Sequence, residues 1–358
     1  MKIDPRSVAA TLAALAVLGL IGAAAVVFLG LFNVSAKKGH LPGVSWVLHT
    51  TFRNSVDLRA PPVSEAPNLS DPDLIGLGAK HFNAACRVCH SAPGHGRTAT
   101  MLSMLPQPPH ITDAVGHWTA PELHWIVHEG VKMSGMPAWP AEREDDVWAV
   151  VAFLEEVGSM APERYDELTG GIGADPETFE YCASCHGANG VSGNQQIPRL
   201  DILSEEYMTR SLASYRESDR DSGIMQHASS EVAPEKLSEF ARRFAEARPE
   251  GEAALTDRIE SAGAQLATMG SGSDVPACVA CHGPWSEPLS EAFPSLSGQY
   301  APYLAAQLRL WRAGRRGGGE VAELMYQAAR DLDDAEIDAL AAYYAALAPA
   351  KLNPPDAP

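Results

Sequence analysis

All six cysteines of this 358-residue chain fall into three Cys-x-x-Cys-His pentads: Cys86-Arg-Val-Cys89-His90, Cys182-Ala-Ser-Cys185-His186 and Cys278-Val-Ala-Cys281-His282. Two thiols three residues apart can add to the two vinyl groups on one porphyrin edge, and the adjacent histidine is then placed to bind the iron. A lone Cys-x-x-Cys also fits a zinc half-site or a redox disulfide, but three pentads with no spare cysteine argue for three covalently attached haems c. The pentads stand at identical intervals, which divides the chain into about three compact units of roughly 100 residues each. Units of that size bury little apolar surface alone. An enclosed porphyrin would supply the missing core, so the haem-free chain should fold poorly.

Before the first pentad the pattern changes. From Val8 to Phe32 the only polar residue is Thr11, long enough to span a bilayer as a helix. Lys2, Arg6 and the small residues Val34-Ser35-Ala36 also fit a cleaved signal peptide, but the apolar run is longer than such peptides carry, which favours a retained anchor over residues 1–35. Residues 36–70 mix charges with Pro61-Pro62 and Pro67 and read as an irregular tether. Breaks at Gly170-Gly171-Ile172-Gly173 and Arg248-Pro249-Glu250-Gly251 then set units at 71–165, 170–250 and 251–350, with a disordered tail at 351–358. The formal net charge of −18 excludes nucleic acid as a natural partner and suits either plain solubility or docking to a basic surface.

The expected fold is all-α. Asp71-Pro72-Asp73 opens a helix with Leu74, Leu77, Gly78 and His81 on one face. Each unit closes with an apolar stripe of helical period: Val147, Val150, Val151 and Leu154; Leu237, Phe240, Ala241 and Phe244; Ile337, Leu340, Ala341 and Tyr344. Shortly before each stripe stands a methionine: Met136, Met225 or Met325. Thioether is a soft, neutral donor that favours ferrous iron, so these are the candidate sixth ligands opposite His90, His186 and His282. Met133 competes with Met136, and Met208 and His227 compete with Met225. His81, His95, His110, His117, His124 and His128 crowd the first unit, where surface or haem-rim positions account for them without a separate metal. A haem-binding imidazole also needs an acceptor for its other ring nitrogen, often a backbone carbonyl. Pro198 and Pro294, each twelve residues after the pentad histidine, and Pro109 after a longer loop are the places to find it.

The order pentad, proline loop, methionine, terminal helix resembles the class I cytochrome c domain, three times over residues 71 to 348. The resemblance implies an N-terminal transmembrane helix followed by three tandem domains of that class. The third unit, with Phe293-Pro294-Ser295-Leu296-Ser297-Gly298-Gln299-Tyr300, Tyr303-Leu304, Gln307-Leu308 and Met325, is similar to diheme proteins of the cytochrome c4 type. The second keeps Pro198, Leu200, Tyr207, Leu212, Arg216 and Arg220 at matching offsets, lacks the Gly-Gln pair, and has a degenerate first helix with Asp175-Pro176 just before Cys182. The first, through Trp125 to Trp139, is similar to membrane-anchored monohaem cytochromes of dehydrogenases and terminal oxidases, so the equal spacing does not reflect three copies of one segment.

That likeness implies a membrane-tethered electron carrier with its haem domains in the periplasm, where c-type haem is attached, and its N-terminus in the cytoplasm. It would move single electrons between a redox protein donor, a dehydrogenase or quinol-oxidising complex, and an acceptor such as a terminal oxidase. No catalytic residue, nucleic acid or small-molecule substrate is expected. The alternatives are a haem enzyme with one open or displaceable axial site, for peroxide or sulfur compounds, and an obligate cytochrome subunit of a larger complex.

Overall fold

The computed structural model describes residues 4–132, 134–171, 173–251, 262–271, 275–284, 290, 293–319 and 321–351. Met133, Ile172 and the tail from Leu352, including Asn353-Pro354-Pro355-Asp356, lie outside the described residues. Within them the chain is helical, with only isolated bridges between Arg220 and Gly317 and between Ser271 and Val275.

Helix α1 (Pro5–Phe28) starts on Asp4, whose carboxylate accepts from the Arg6 amide at 3.1 Å. Its 24 residues reach about 36 Å, enough to cross a hydrocarbon layer of about 30 Å, and none is buried. The expectation of an irregular tether over 36–70 is corrected: Val44–Arg59 is a second helix, α2. Its C-terminal half lies on the first unit, with Val56 fully buried and Phe52 edge-on to Trp118 at 5.4 Å. Only two apolar residues make that contact, too few to leave a periodic signal among the polar ones.

Three separate hydrophobic cores follow, one beside each pentad. In the first, α3 (Pro72–His81) crosses α5 (Val147–Val157), with α4 (Ala120–Glu129) alongside. Asp71 caps α3 through the Asp73 amide at 2.9 Å, and Pro72 occupies the first turn, where its missing N–H costs nothing. A Cβ on Gly78 would sit 1.8 Å from the Ala149 carbonyl oxygen, so glycine is what lets these two backbones touch. The third unit repeats the crossing between α9 (Ala262–Met269) and α12 (Asp334–Ala346), where a Cβ on Gly263 would sit 2.1 Å from the Ala339 carbonyl oxygen.

The second unit is built without that crossing. Its pentad follows a short turn, as the degenerate first helix predicted, and Phe179 fills the place by packing on Phe244 of α8 (Pro234–Glu246) at 4.6 Å between centroids. All twelve stripe residues on α5, α8 and α12 are buried, none above 7% exposed. At about 1.5–3 kcal/mol for each fully buried large side chain, these stripes are the main apolar support of each unit.

The units do not hang as beads. Gln299, from the Gly-Gln pair that only the third unit carries, reaches the second: its Oε1 accepts from the Arg199 amide at 2.9 Å and its Nε2 donates to the Arg199 carbonyl at 3.0 Å. Backbone bonds from Asp221 N to Arg316 O (3.0 Å) and Gly318 N to Asp219 O (2.8 Å) sew the second and third units together. The first unit is held by Asn194 Nδ2, which donates to the Asp73 carbonyl at 2.6 Å, and by a buried cluster in which Arg143 pairs with Asp146 at 2.8 Å. Asp146 also accepts from Ser222 Oγ of the second unit at 2.9 Å.

Burial pushes the Asp146 carboxyl up to about 6, against the opposing pull of Arg143, which stays charged. A folded-state value raised above the ordinary carboxylate one means that the native protein takes up a proton first as pH falls, so this group adds stability on acidification. Wild type should therefore gain thermal stability relative to Asp146→Asn between about pH 7 and about pH 4, read from paired melting curves.

Candidate haem sites and the family of the chain

The pentad histidines share one geometry. Each is the last residue of a short helix, Arg87–His90, Glu180–His186 or Val279–His282. Nδ1 faces a proline carbonyl in every case: Pro109 at 3.0 Å for His90, Pro198 at 3.1 Å for His186 and Pro294 at 2.8 Å for His282. With Nδ1 donating its proton there, Nε2 is the free lone pair. Nε2 of His282 is buried and has no hydrogen-bond partner. Burial pushes all three imidazoles below their ordinary pKa, which keeps them in the neutral form that can bind a metal.

The cysteines sit half-buried and unbridged. Burial drives Cys86 and Cys182 up to about 12 and Cys278 up to about 11, the reverse of a thiol poised for disulfide exchange. Just before the first pentad, Phe82–Cys86 forms a π-helical turn, a local widening that occurs mostly at functional sites.

A cavity of about 1100 Å³ is lined by Cys182, Cys185, His186 and Met225, and also by Cys278, His282 and Met325. That exceeds the roughly 300–1,000 Å³ of one ligand pocket. Met225 lies on α7 (Gly223–Glu231), whose first turn is capped by Ser222, and Met325 on α11 (Ala322–Ala329), against the third core. Met208 and His227, which compete with Met225, line the same cavity. Met136 is half-buried in the loop between α4 and α5, held by its amide on Ser134 Oγ at 3.1 Å.

One functional feature escaped the sequence reading. Arg220 and Arg316 are both buried at the joint of the second and third units, yet among the described residues each bonds only neutral oxygens. Arg220 donates to Ser211, Tyr303 and Gln307 at 3.2–3.4 Å; Arg316 donates to Gln307 at 2.8 Å and Tyr207 at 3.3 Å. Burial and then Arg220 lower the Arg316 pKa. Burial would raise the Tyr207 phenol, but the two guanidiniums pull it down to about 8. Two buried cations with no carboxylate partner among the described residues call for an anion, and both arginines line the cavity. Haem propionates would supply that charge, so orphaned imidazole, paired thiols and buried guanidiniums together fit a haem. Only the offsets of Tyr207 from Tyr303 and of Arg220 from Arg316, identical in the sequence, hinted at this cluster.

Two histidines of the first unit, His81 and His124, make packing and hydrogen-bond contacts. His81 is buried between Trp139 (4.8 Å) and His227 (5.8 Å), and burial lowers its pKa to about 3, with His227 adding to the fall. His124 Nε2 faces the Glu144 carbonyl at 2.7 Å, and no group of three metal-binding side chains stands among the described residues.

Residues 74–154 match the family model described as cytochrome C oxidase, cbb3-type, subunit III, and residues 261–348 the model described as cytochrome c. The thiosulfate dehydrogenase electron acceptor of Stutzerimonas stutzeri (strain A1501) is 36% identical over 201 residues, 55% of this chain and 91% of that protein. The chain belongs to the c-type cytochromes. The corresponding electron acceptor of Thiomonas intermedia (strain K12) is 33% identical over 185 residues, 50% of this chain and 84% of that one. Cytochrome c4 of Pseudomonas aeruginosa is 28% identical over 163 residues, 45% and 81% of the two chains. The crystal structure of reduced cytochrome c4 from Pseudomonas stutzeri aligns over 46% of this chain and 93% of its own, at 26% identity and a TM-score of 0.43. The chain is thus an electron-transfer cytochrome with haem c-binding domains, and its partners are redox proteins.

Proposed function

We propose that this cytochrome is a membrane-tethered triheme conduit, carrying single electrons from a periplasmic sulfur-compound dehydrogenase to a terminal oxidase in the inner membrane. The observation that carries the reading is the threefold repeat of histidine Nδ1 on a proline carbonyl beside paired cysteines. In this reading Cys86 and Cys89, Cys182 and Cys185, and Cys278 and Cys281 bind the haems. His90 with Met136, His186 with Met225 and His282 with Met325 would hold the irons. Haem iron supplies a reversible one-electron change. The chain's part is to hold the imidazoles neutral and oriented, keep water from the ring faces and balance propionate charge with Arg220 and Arg316.

The names of the two thiosulfate dehydrogenase acceptors support the donor class, and the oxidase-subunit match over residues 74–154 supports the acceptor. That match also favours a second reading, in which the chain works as a fixed subunit of an oxidase. Stopped-flow mixing of the purified protein with thiosulfate dehydrogenase and thiosulfate should reduce its haems without the chain turning over substrate itself. Stoichiometric carbon monoxide binding at one native haem, with substrate oxidation by the chain alone, would make it an enzyme instead.

A narrower expectation follows from the arginine pair. A fixed positive charge beside a haem favours ferrous iron, so Arg316→Leu should lower the potential of one of the two haems at this joint. A spectroelectrochemical titration reads the shift directly.

A further inference from the structure

Most of the large hydrophobic side chains left exposed by the described residues precede residue 49. Those of α1 belong to a helix that can cross a membrane. The next group does not: Leu41 is 67% exposed, and on the first two turns of α2 Trp46 is 71% and Val47 52% exposed. From Gly39 to Phe52 the sequence holds no Lys, Arg, Asp or Glu, while Arg53, Asp57 and Arg59 mark the other half of the helix. So α2 is divided along its length, not between its faces. Its C-terminal half lies on the first unit through Val56, Phe52 and the Arg53 guanidinium over Trp118 at 5.8 Å. Its N-terminal half is an apolar tip that nothing among the described residues covers.

We propose that this tip, Leu41 to Leu48, is seated in the membrane–water interface, which makes α2 a pillar about 24 Å long standing between bilayer and first haem unit. The bilayer is the occupant because the chain leaves α1 at Phe28 only thirteen positions before Leu41, which tethers the tip within about 45 Å of the span's end. The connecting segment is itself apolar and exposed at Leu29, Leu31, Phe32 and Val34. Tryptophan is the side chain most at home at the headgroup level, and Lys37 and Lys38 lie where anionic headgroups would meet them. The consequence is functional: a flexible tether would let all three haem units wander, whereas a helix fixed at both ends holds the first unit close to the lipid surface. This rests on the membrane-tethered reading given above and adds the geometry of the tether.

The test uses the full, haem-loaded chain at one molecule per nanodisc of phosphatidylethanolamine and phosphatidylglycerol. In that form the pentad thiols are consumed by haem, so a single introduced thiol reports its own surroundings. Val47→Cys, Asp57→Cys and Leu18→Cys are compared for their rate of reaction with a charged, membrane-impermeant maleimide. The Leu18 and Val47 positions should react at least several-fold more slowly than the Asp57 position. Fast reaction at Val47 with slow reaction at Leu18 would overturn the pillar while leaving the anchor standing. Fast reaction at both would remove the anchor as well.

Discussion

Replacing both cysteines of the third pentad, Cys278 and Cys281, by alanine should reduce haem c from three per chain to two and unfold the third unit while the first stays folded. Without thioether bonds the porphyrin is held only by axial and propionate contacts. The walls it would fill are formed by Leu296, Leu304, Leu340, Ala341 and Tyr344, which line the cavity around His282. Removing one buried aromatic side chain costs about 3–5 kcal/mol, and a haem is several times larger. The whole stability of a domain is only about 5–15 kcal/mol. Loss should therefore be all-or-none for the third core, while the first core, closed by Phe82, Phe153 and Tyr165, keeps its own melting transition. A pyridine haemochrome assay against measured protein mass counts the haems, and far-ultraviolet circular dichroism follows the melt. Three haems in the double variant, or two in the wild type, would reject the assignment of one haem to each pentad.

The parts of this molecule that the sequence disclosed are those written in local spacing. Pentads, terminal stripes and the twelve-residue step from His186 to Pro198 and from His282 to Pro294 are short-range patterns, and each appears where the pattern put it. Even the longer loop of the first unit returns Pro109 to His90. What stayed hidden depends on contacts across units. Arg220 meets Tyr303 and Gln307 more than eighty positions away, and Gln299 bonds Arg199 across a hundred. No periodicity carries such information. Helix α2 was missed for the opposite reason, since it buries too little of itself to impose a stripe, and Pro61-Pro62 after it reads as loop.

Met136→His should lower the potential of one haem and leave the other two in place. The wild-type loop supports the methionine with the Ser134 hydroxyl on its amide and the Val131 amide on its carbonyl, which leaves the side chain as the free end of a fixed turn. Imidazole donates more strongly to ferric iron than thioether does, so the oxidised state gains and the potential falls. Axial ligands command a range of about 0.8 V, and one Met-to-His exchange should use on the order of 0.1 V or more of it. The weak ferric absorption typical of Met–iron bonds should drop by about one third if all three haems are Met-ligated. Trp139, three residues on, lies against His81, which in turn faces His227 of the second unit, so the first unit meets the second beside the Met136 loop. A haem of lowered potential there would hold electrons less well than its neighbour. Intramolecular equilibration after partial reduction should then favour the second and third haems, visible as unequal occupancy in a redox titration followed at several wavelengths. Identical titration curves for wild type and variant would move the ligand to Met133 or to a histidine of the first unit and detach this loop from the iron.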